Sequence, residues 1–180
     1  RIRLAISSSY WPLAWPSPRP VRLTLYPAGC RLRLPRRPPR SDDAHLRELG
    51  HPRLGPTPRH TLLAPAKREW QVIYNLATNE VKLDVVNNDP LLRLEDTGVA
   101  FGRDVEETYS FRNNRSDTLR GEVLQTRSFE RPGWQVRTVT HTVLTSTVDA
   151  FQIRATLDAY EGDVRVFAKS WDERIPRDLV

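Results

Sequence analysis

Methionine is absent from all 180 residues and cysteine occurs once. A lone Cys30 closes no intramolecular disulfide, which excludes a small secreted scaffold stapled by sulfur. It follows the turn residues Pro27-Ala28-Gly29 and has no adjacent histidine or helix start to lower its pKa, so it reads as a small residue after a turn. No apolar run approaches the roughly 18 residues of a membrane-spanning helix. The amino end also lacks the uninterrupted apolar stretch of a signal peptide. These absences lead to the expectation of a soluble chain with no membrane partner; they leave the compartment open, the cytoplasm being the expected one.

Acidic residues are scarce over the first third. Residues 1–68 hold 3 Asp and Glu against 14 Lys and Arg, together with 12 of the 15 prolines. Residues 69–180 reverse the balance, 19 acidic against 14 basic. The formal charge of +6 therefore describes no single part of the chain. The composition suggests three parts: strands with an aromatic, proline-rich loop over 1–35, a basic linker over 36–68, and a β region over 69–180. Basic clusters bind phosphates by releasing counterions, so "RLRLPRRPPR" is a candidate nucleic-acid contact. No aromatic residues alternate with those arginines to stack bases, however, and no binding motif surrounds them. No nucleic-acid partner is expected; an arginine-rich segment docking on an acidic neighbouring domain accounts for the same charge.

Helical periodicity is confined to one place. In "SDDAHLRELG", Ser41 is placed to cap a short helix near 42–49, with Asp42 and Asp43 in its first turn and Gly50 at its end. Elsewhere alternation dominates: Ile2, Leu4 and Ile6; Val21, Leu23 and Leu25; then Leu32 and Leu34, each set on one side of a ribbon. Prolines at 12, 16, 18 and 20 break "YWPLAWPSPRP" into an ordered loop or edge. Further on, "WQVIYNL" and "VKLDVV" flank a hairpin loop at Ala77-Thr78-Asn79-Glu80, and Asn88-Asp89-Pro90 reads as a turn. "VEETYSF", "GEVLQTRSF", "WQVRTVTHTVL", "FQIRATLDAY" and "VRVFAKSW" follow at regular intervals. Phe151, Ile153, Ala155, Leu157 and Ala159 should share a face. Phe167 and Trp171 should pack inward, with Pro176 ending the last strand. The fold class is all-β, an antiparallel β-sandwich or jelly-roll portion with that one short helix.

Catalytic motifs are missing. No serine has the Gly-x-Ser-x-Gly frame of a nucleophile elbow, and Ser7, Ser8 and Ser9 read as turn-forming hydroxyls. His45, His51 and His60 have no ligand partner at metal spacing, so no metal or other cofactor is expected. His141 lies on a strand face with Val139 and Val143 and reads as a hydrogen-bonded, half-buried imidazole. Glu106-Glu107 and Asp172-Glu173 point to opposite sides of a ribbon and make poor acid/base pairs. Tyr10, Trp11 and Trp15 are the candidate site, crowded on one stiff loop. They suit either a domain interface bordering a cleft, or the wall of a free-standing sandwich that binds a sugar or another flat ligand.

Three segments carry a resemblance. "RIRLAISSSYWPLAWPSP" resembles a strand and Trp-Pro loop in the carboxy-terminal domain of CocE/NonD family hydrolases, relatives of cocaine esterase and the X-Pro dipeptidyl-peptidases. "NLATNEVKLDVVNND" and "AYEGDVRVFAKSWDERIPRDLV" are similar to later parts of the same domain. The resemblance implies a jelly roll packed on an upstream α/β-hydrolase domain, the partner expected here. That upstream domain would carry the Ser-Asp-His triad and act on a small ester or X-Pro peptide. It also implies that the mates of Ile2, Leu4 and Ile6 precede Arg1, that this chain is a carboxy-terminal portion of an enzyme, and that no residue in it is catalytic.

Overall fold

The computed structural model describes residues 3–19 and 21–178. The chain divides into two compact units, Arg1–Val21 with Pro58–Val180, and Arg22–Thr57.

The Arg22–Thr57 unit has no strand. The ribbons expected at 21–25 and 32–34 do not form: Leu23, Leu25, Leu32 and Leu34 are all more than half exposed. Alternation alone cannot make a strand where no neighbour supplies ladder partners. The expected helix appears as a 3-10 turn, Ser41–His45, preceded by another at Pro27–Gly29. Its cap is not Ser41. The Asp43 carboxylate accepts the Arg40 backbone N–H at 2.9 Å and the Arg37 guanidinium at 2.7 Å. Those two bonds, the backbone one first, hold the Asp43 carboxyl below its usual range. The helix stops well before Gly50 because Leu46 and Leu49 bury little, being 70% and 99% exposed.

The other unit is all-β and sandwich-like, as the strand spacing predicts. Among the described residues nine antiparallel strands form one hydrogen-bonded sheet. They are β1 (His60–Ala64), β2 (Lys67–Asn75), β3 (Glu80–Asn88), β4 (Leu91–Leu94), β5 (Ala100–Arg112), β6 (Arg120–Arg131), β7 (Trp134–Ser146), β8 (Ala150–Glu161) and β9 (Val164–Pro176). From β5 to β9 the order is a plain meander of long strands. Arg3–Ile6 is not part of it; Leu4 and Ile6 are exposed and the segment is unpaired, while Ile2 lies outside the described residues.

Asn88-Asp89-Pro90 does not reverse the chain. β3 and β4 both run antiparallel to β5, on the same edge, with Val86 opposite Glu106 and Leu92 opposite Phe101. They are one strand interrupted at Pro90, whose ring nitrogen has no hydrogen for the ladder. Pro65 lies likewise between β1 and β2, which pair with β4 and β3. The break at Pro90 is sewn by side chains. Asp89 accepts Arg103 at 2.8 Å and Arg68 at 2.9 Å, and Asn88 Oδ1 accepts the Val105 N–H at 3.0 Å.

The connections follow turn chemistry. The β2–β3 loop is Leu76 to Asn79, one residue earlier than the sequence suggests. Asn75 Oδ1 accepts the amides of Ala77 and Thr78 there. Asn79, Asn113 and Asn114 take left-handed backbone angles, a conformation asparagine tolerates. Pro132-Gly133 joins β6 to β7 with Gly133 at φ 76°. Gly133→Ala should therefore cost about 1 kcal/mol, read as a lower denaturant midpoint; an unchanged midpoint would show that the turn relaxes freely.

The register separates the two faces of the sheet. Trp70, Val85, Glu107, Val123, Thr142, Ala155 and Trp171 form one cross-strand row. Around that row lie Val72, Leu83, Tyr109, Phe129 and Leu144, together with Phe151, Ile153, Leu157 and Ala159 as expected, which makes this the apolar face. The opposite face is ionic. Lys82 meets Asp84 at 2.6 Å, Arg120 meets Glu122 at 2.7 Å, and Arg154 meets Asp172 at 3.4 Å. His141 lies there half-buried, its Nε2 2.7 Å from Glu122 Oε1.

The hydrogen bond from His141, and next the Arg120 guanidinium, hold the Glu122 carboxyl below its usual range. A depressed carboxyl contributes stability above its unfolded-state pKa and loses it as pH falls through the folded value. The stability gap between the wild-type chain and Glu122→Gln should therefore be widest near neutral pH and close on acidification below the ordinary carboxylate range. Thermal melts across that range check this; a gap independent of pH would show that the pair does not couple to folding.

Little of the apolar face is covered. Among the described residues the buried apolar side chains are Ala100, Val105, Leu119 and Ala150, and no large side chain is fully buried. Phe167 is 51% exposed, against the inward packing expected, because β9 is the last strand and no layer lies over it. Trp171 is half-buried, and Pro176 does end the strand.

Candidate functional site

One segment crosses the apolar face, the loop after Ile6. Ser7 donates its hydroxyl to the Ser9 carbonyl at 2.6 Å and accepts the Ser9 amide at 3.3 Å, the local turn expected of these hydroxyls. Tyr10 and Ala14 then exchange backbone hydrogen bonds at 3.0 and 2.7 Å, closing a tight loop around Trp11, Pro12 and Leu13. The Trp11-Pro12 peptide is cis.

That bridge puts two indoles side by side. Trp11 and Trp15 meet edge to face with centroids 5.1 Å apart. Trp11 adds edge contacts to Tyr109 at 5.9 Å and Phe111 at 6.3 Å, and Trp15 adds one to Phe151 at 5.6 Å. Such geometry matches the positive edge and negative face of the rings. Trp15 reaches the sheet over Gly121, where an added Cβ would lie 3.6 Å from its ring and 3.3 Å from Tyr109. A side chain at 121 would hold the loop away. Tyr10 is set apart, 69% exposed and outside this stack.

Arg177, just past β9, locks the far side. Its guanidinium lies 4.6 Å from the centre of the Phe151 ring, donates to the Thr147 carbonyl at 3.1 Å and also donates to the Pro16 carbonyl. Burial pushes its pKa down from the usual value, yet an arginine stays charged at any physiological pH.

Beside the stack opens a cleft of about 670 Å³ between the loop and the β5–β6 connection. Trp11, Phe111 and Leu119 give it an apolar wall; Ser8, Ser9 and Arg19 line it with hydroxyls and a cation. Also lining it, Arg115 pairs with Asp117, which raises the pKa of the guanidinium and lowers that of the carboxyl. Tyr109, at the base of the stack, donates to Glu107 at 2.6 Å. Burial first, and then that bond and the Glu107 charge, push its pKa up to about 12, so it stays a neutral donor. His141 lies on the opposite face of the sheet and cannot reach the cleft serines. The chemistry on offer is recognition of a flat or apolar group by rings, with hydroxyls and a guanidinium at the rim.

Of the three residues singled out from sequence, Trp11 and Trp15 come together on the sheet and Tyr10 does not. Gly121, Tyr109, Phe151 and Arg177 escaped that reading. Gly121 carried a signal, a glycine inside a strand; Arg177, separated from Pro16 by most of the chain, carried none. No family model, curated protein or solved structure matches this chain.

Proposed function

We propose that this chain serves as a non-catalytic β-domain of a serine hydrolase of the CocE/NonD type, packing on an α/β-hydrolase domain and bordering its substrate cleft. The observation that carries the reading is the uncovered apolar face. Trp70 is 75% exposed and Val72 71%, on a sheet whose other face carries ion pairs. An antiparallel sheet normally packs its apolar face against a second layer. In the proposed enzyme, further jelly-roll strands and the hydrolase domain supply that layer, in keeping with the three sequence segments that resemble this family. The hydrolase serine would form the acyl-enzyme with histidine as base and an oxyanion hole for the developing charge. The Trp11–Trp15 loop would stiffen one rim of the cleft.

Reading the coding sequence upstream of Arg1 tests this directly. A continuous frame containing a Gly-x-Ser-x-Gly elbow is the expected result, and a stop codon in frame just before Arg1 would sink the proposal. In the enzyme so defined, Trp11→Ala should lower activity on acyl esters or X-Pro peptides, or lower stability; neither changing would remove the loop from the interface.

The cleft beside Trp11 favours a second reading, a ligand-binding sandwich that stacks a sugar ring on the indole. Quenching of tryptophan fluorescence by a neutral oligosaccharide, lost in Trp11→Ala, would support it over the first.

A further inference from the structure

Strand β9 pairs with β8 along one edge, and its other edge has no strand partner among the described residues. A long free edge is a template for another chain, and proteins commonly guard it with charges of one sign, a proline or a bulge. Here the guards stand at the ends: the register slips between Phe167 and Arg165, and Pro176 closes the strand. Between them the side chains on the apolar face are Phe167, Lys169, Trp171, Glu173 and Ile175. The row runs apolar, cation, aromatic, anion, apolar. Reversed, it becomes its own complement.

We propose that β9 pairs with β9 of a second copy of this chain, antiparallel about a twofold axis at Trp171. An axis perpendicular to the sheet keeps both apolar faces on the same side and makes the contact isologous. Lys169 then lies opposite Glu173 of the second copy, twice by symmetry, and Phe167 lies opposite Ile175. On the polar face Ser170 meets Asp172 of the second copy. Opposite charges and apolar pairs directly across an antiparallel ladder are the favourable combinations.

The charges are disposed to suit this contact. Asp172 and Arg174 already have partners inside the chain, Arg154 and Asp149. Neither Lys169 nor Glu173 forms an ion pair among the described residues; the Lys169 ammonium instead rests 4.8 Å from the centre of the Trp171 ring. The longer strand of the other edge, β2, lacks this property. Reversed about Gln71 it sets Glu69 against Ile73 and Arg68 against Tyr74, with no opposite charges facing.

Light scattering on the full 180-residue chain over a concentration series tests the proposal, with circular dichroism to confirm that each variant folds. The wild-type chain should be a dimer. Lys169→Glu and Glu173→Lys should each weaken it about tenfold, since each turns two attractive pairs into repulsive ones. The double exchange Lys169→Glu with Glu173→Lys should restore it. A monomer at every concentration would overturn the proposal. So would a dimer indifferent to the single exchanges, which would point to association through the apolar face, or single exchanges that the double variant fails to rescue. None of these outcomes depends on the hydrolase reading.

Discussion

Trp15→Ala should lower the unfolding free energy of the chain by about 3 kcal/mol, the range for deleting a large aromatic that packs on other rings. Trp15 holds three things at once: Trp11, the Phe151 ring, and the flat place over Gly121. With it gone, Trp11 keeps Tyr109 and Phe111 but loses its neighbour, and beyond Ala14 the loop keeps the Arg177 contact at Pro16. Urea unfolding followed by tryptophan fluorescence checks the size. Tyr10→Ala is the control, since its ring is 69% exposed and the Tyr10–Ala14 bridge is made by backbone; it should change stability by less than about 0.5 kcal/mol. Equal effects at 10 and 15 would show that the loop is anchored by its backbone rather than by the indoles. Gly121→Val attacks the same contact from the sheet and should cost about 1–3 kcal/mol through overpacking against Tyr109 and Trp15.

The second large effect is expected at Arg177, which is only 8% exposed. Arg177→Met keeps a stem of similar length against Phe151 but removes the donors to the Thr147 and Pro16 carbonyls. Hydrogen bonds from a charged donor contribute about 1.5–3 kcal/mol, and acceptors left without one lose their compensation for burial. A loss of about 2–3 kcal/mol is expected, with Arg177→Lys recovering part of it, because an ammonium neither stacks flat on the ring nor forks to two carbonyls. Because Trp15 and Arg177 both pack on Phe151, the double variant should cost less than the sum of the two singles. Strict additivity would mean that the two anchor the loop independently. A negligible effect of Arg177→Met would leave the loop held by the indoles alone.

Both predictions concern residues of unequal visibility in the sequence. Trp15 announces itself: an indole in a run of prolines has to pack somewhere. Arg177 sits in a charged tail and looks like any solvated arginine. Similar asymmetry runs through the fold. The five long strands from β5 to β9 were legible because apolar and polar residues alternate over many positions and glycine or asparagine marks three of the four connections between them. The ribbons at 3–6, 21–25 and 32–34 show the same alternation over three to five residues and do not pair. A short alternating run specifies a face but not a neighbour, and without a neighbour the backbone gains no ladder bonds. Pro90 misled in another way. Local chemistry marks a turn there, but the chain continues along β5 in the same direction, with Asp89, Arg68 and Arg103 bridging the gap.

By itself the sequence determined the all-β class, the half-buried place of His141 on a strand face with Val139 and Val143, and the stiff aromatic loop. Each depends on neighbours within a few residues, where period and proline content act directly. Only the tertiary structure decided that Trp11 and Trp15 lie on Tyr109, Phe111 and Phe151, that Gly121 makes room for them, and that Arg177 closes the loop from the far end of the chain. It also decided which strand was left at the edge with Lys169 and Glu173 outside any ion pair among the described residues. Those outcomes follow from the order in which strands pair and from the register of each pair, and both are set by contacts between residues far apart in the chain.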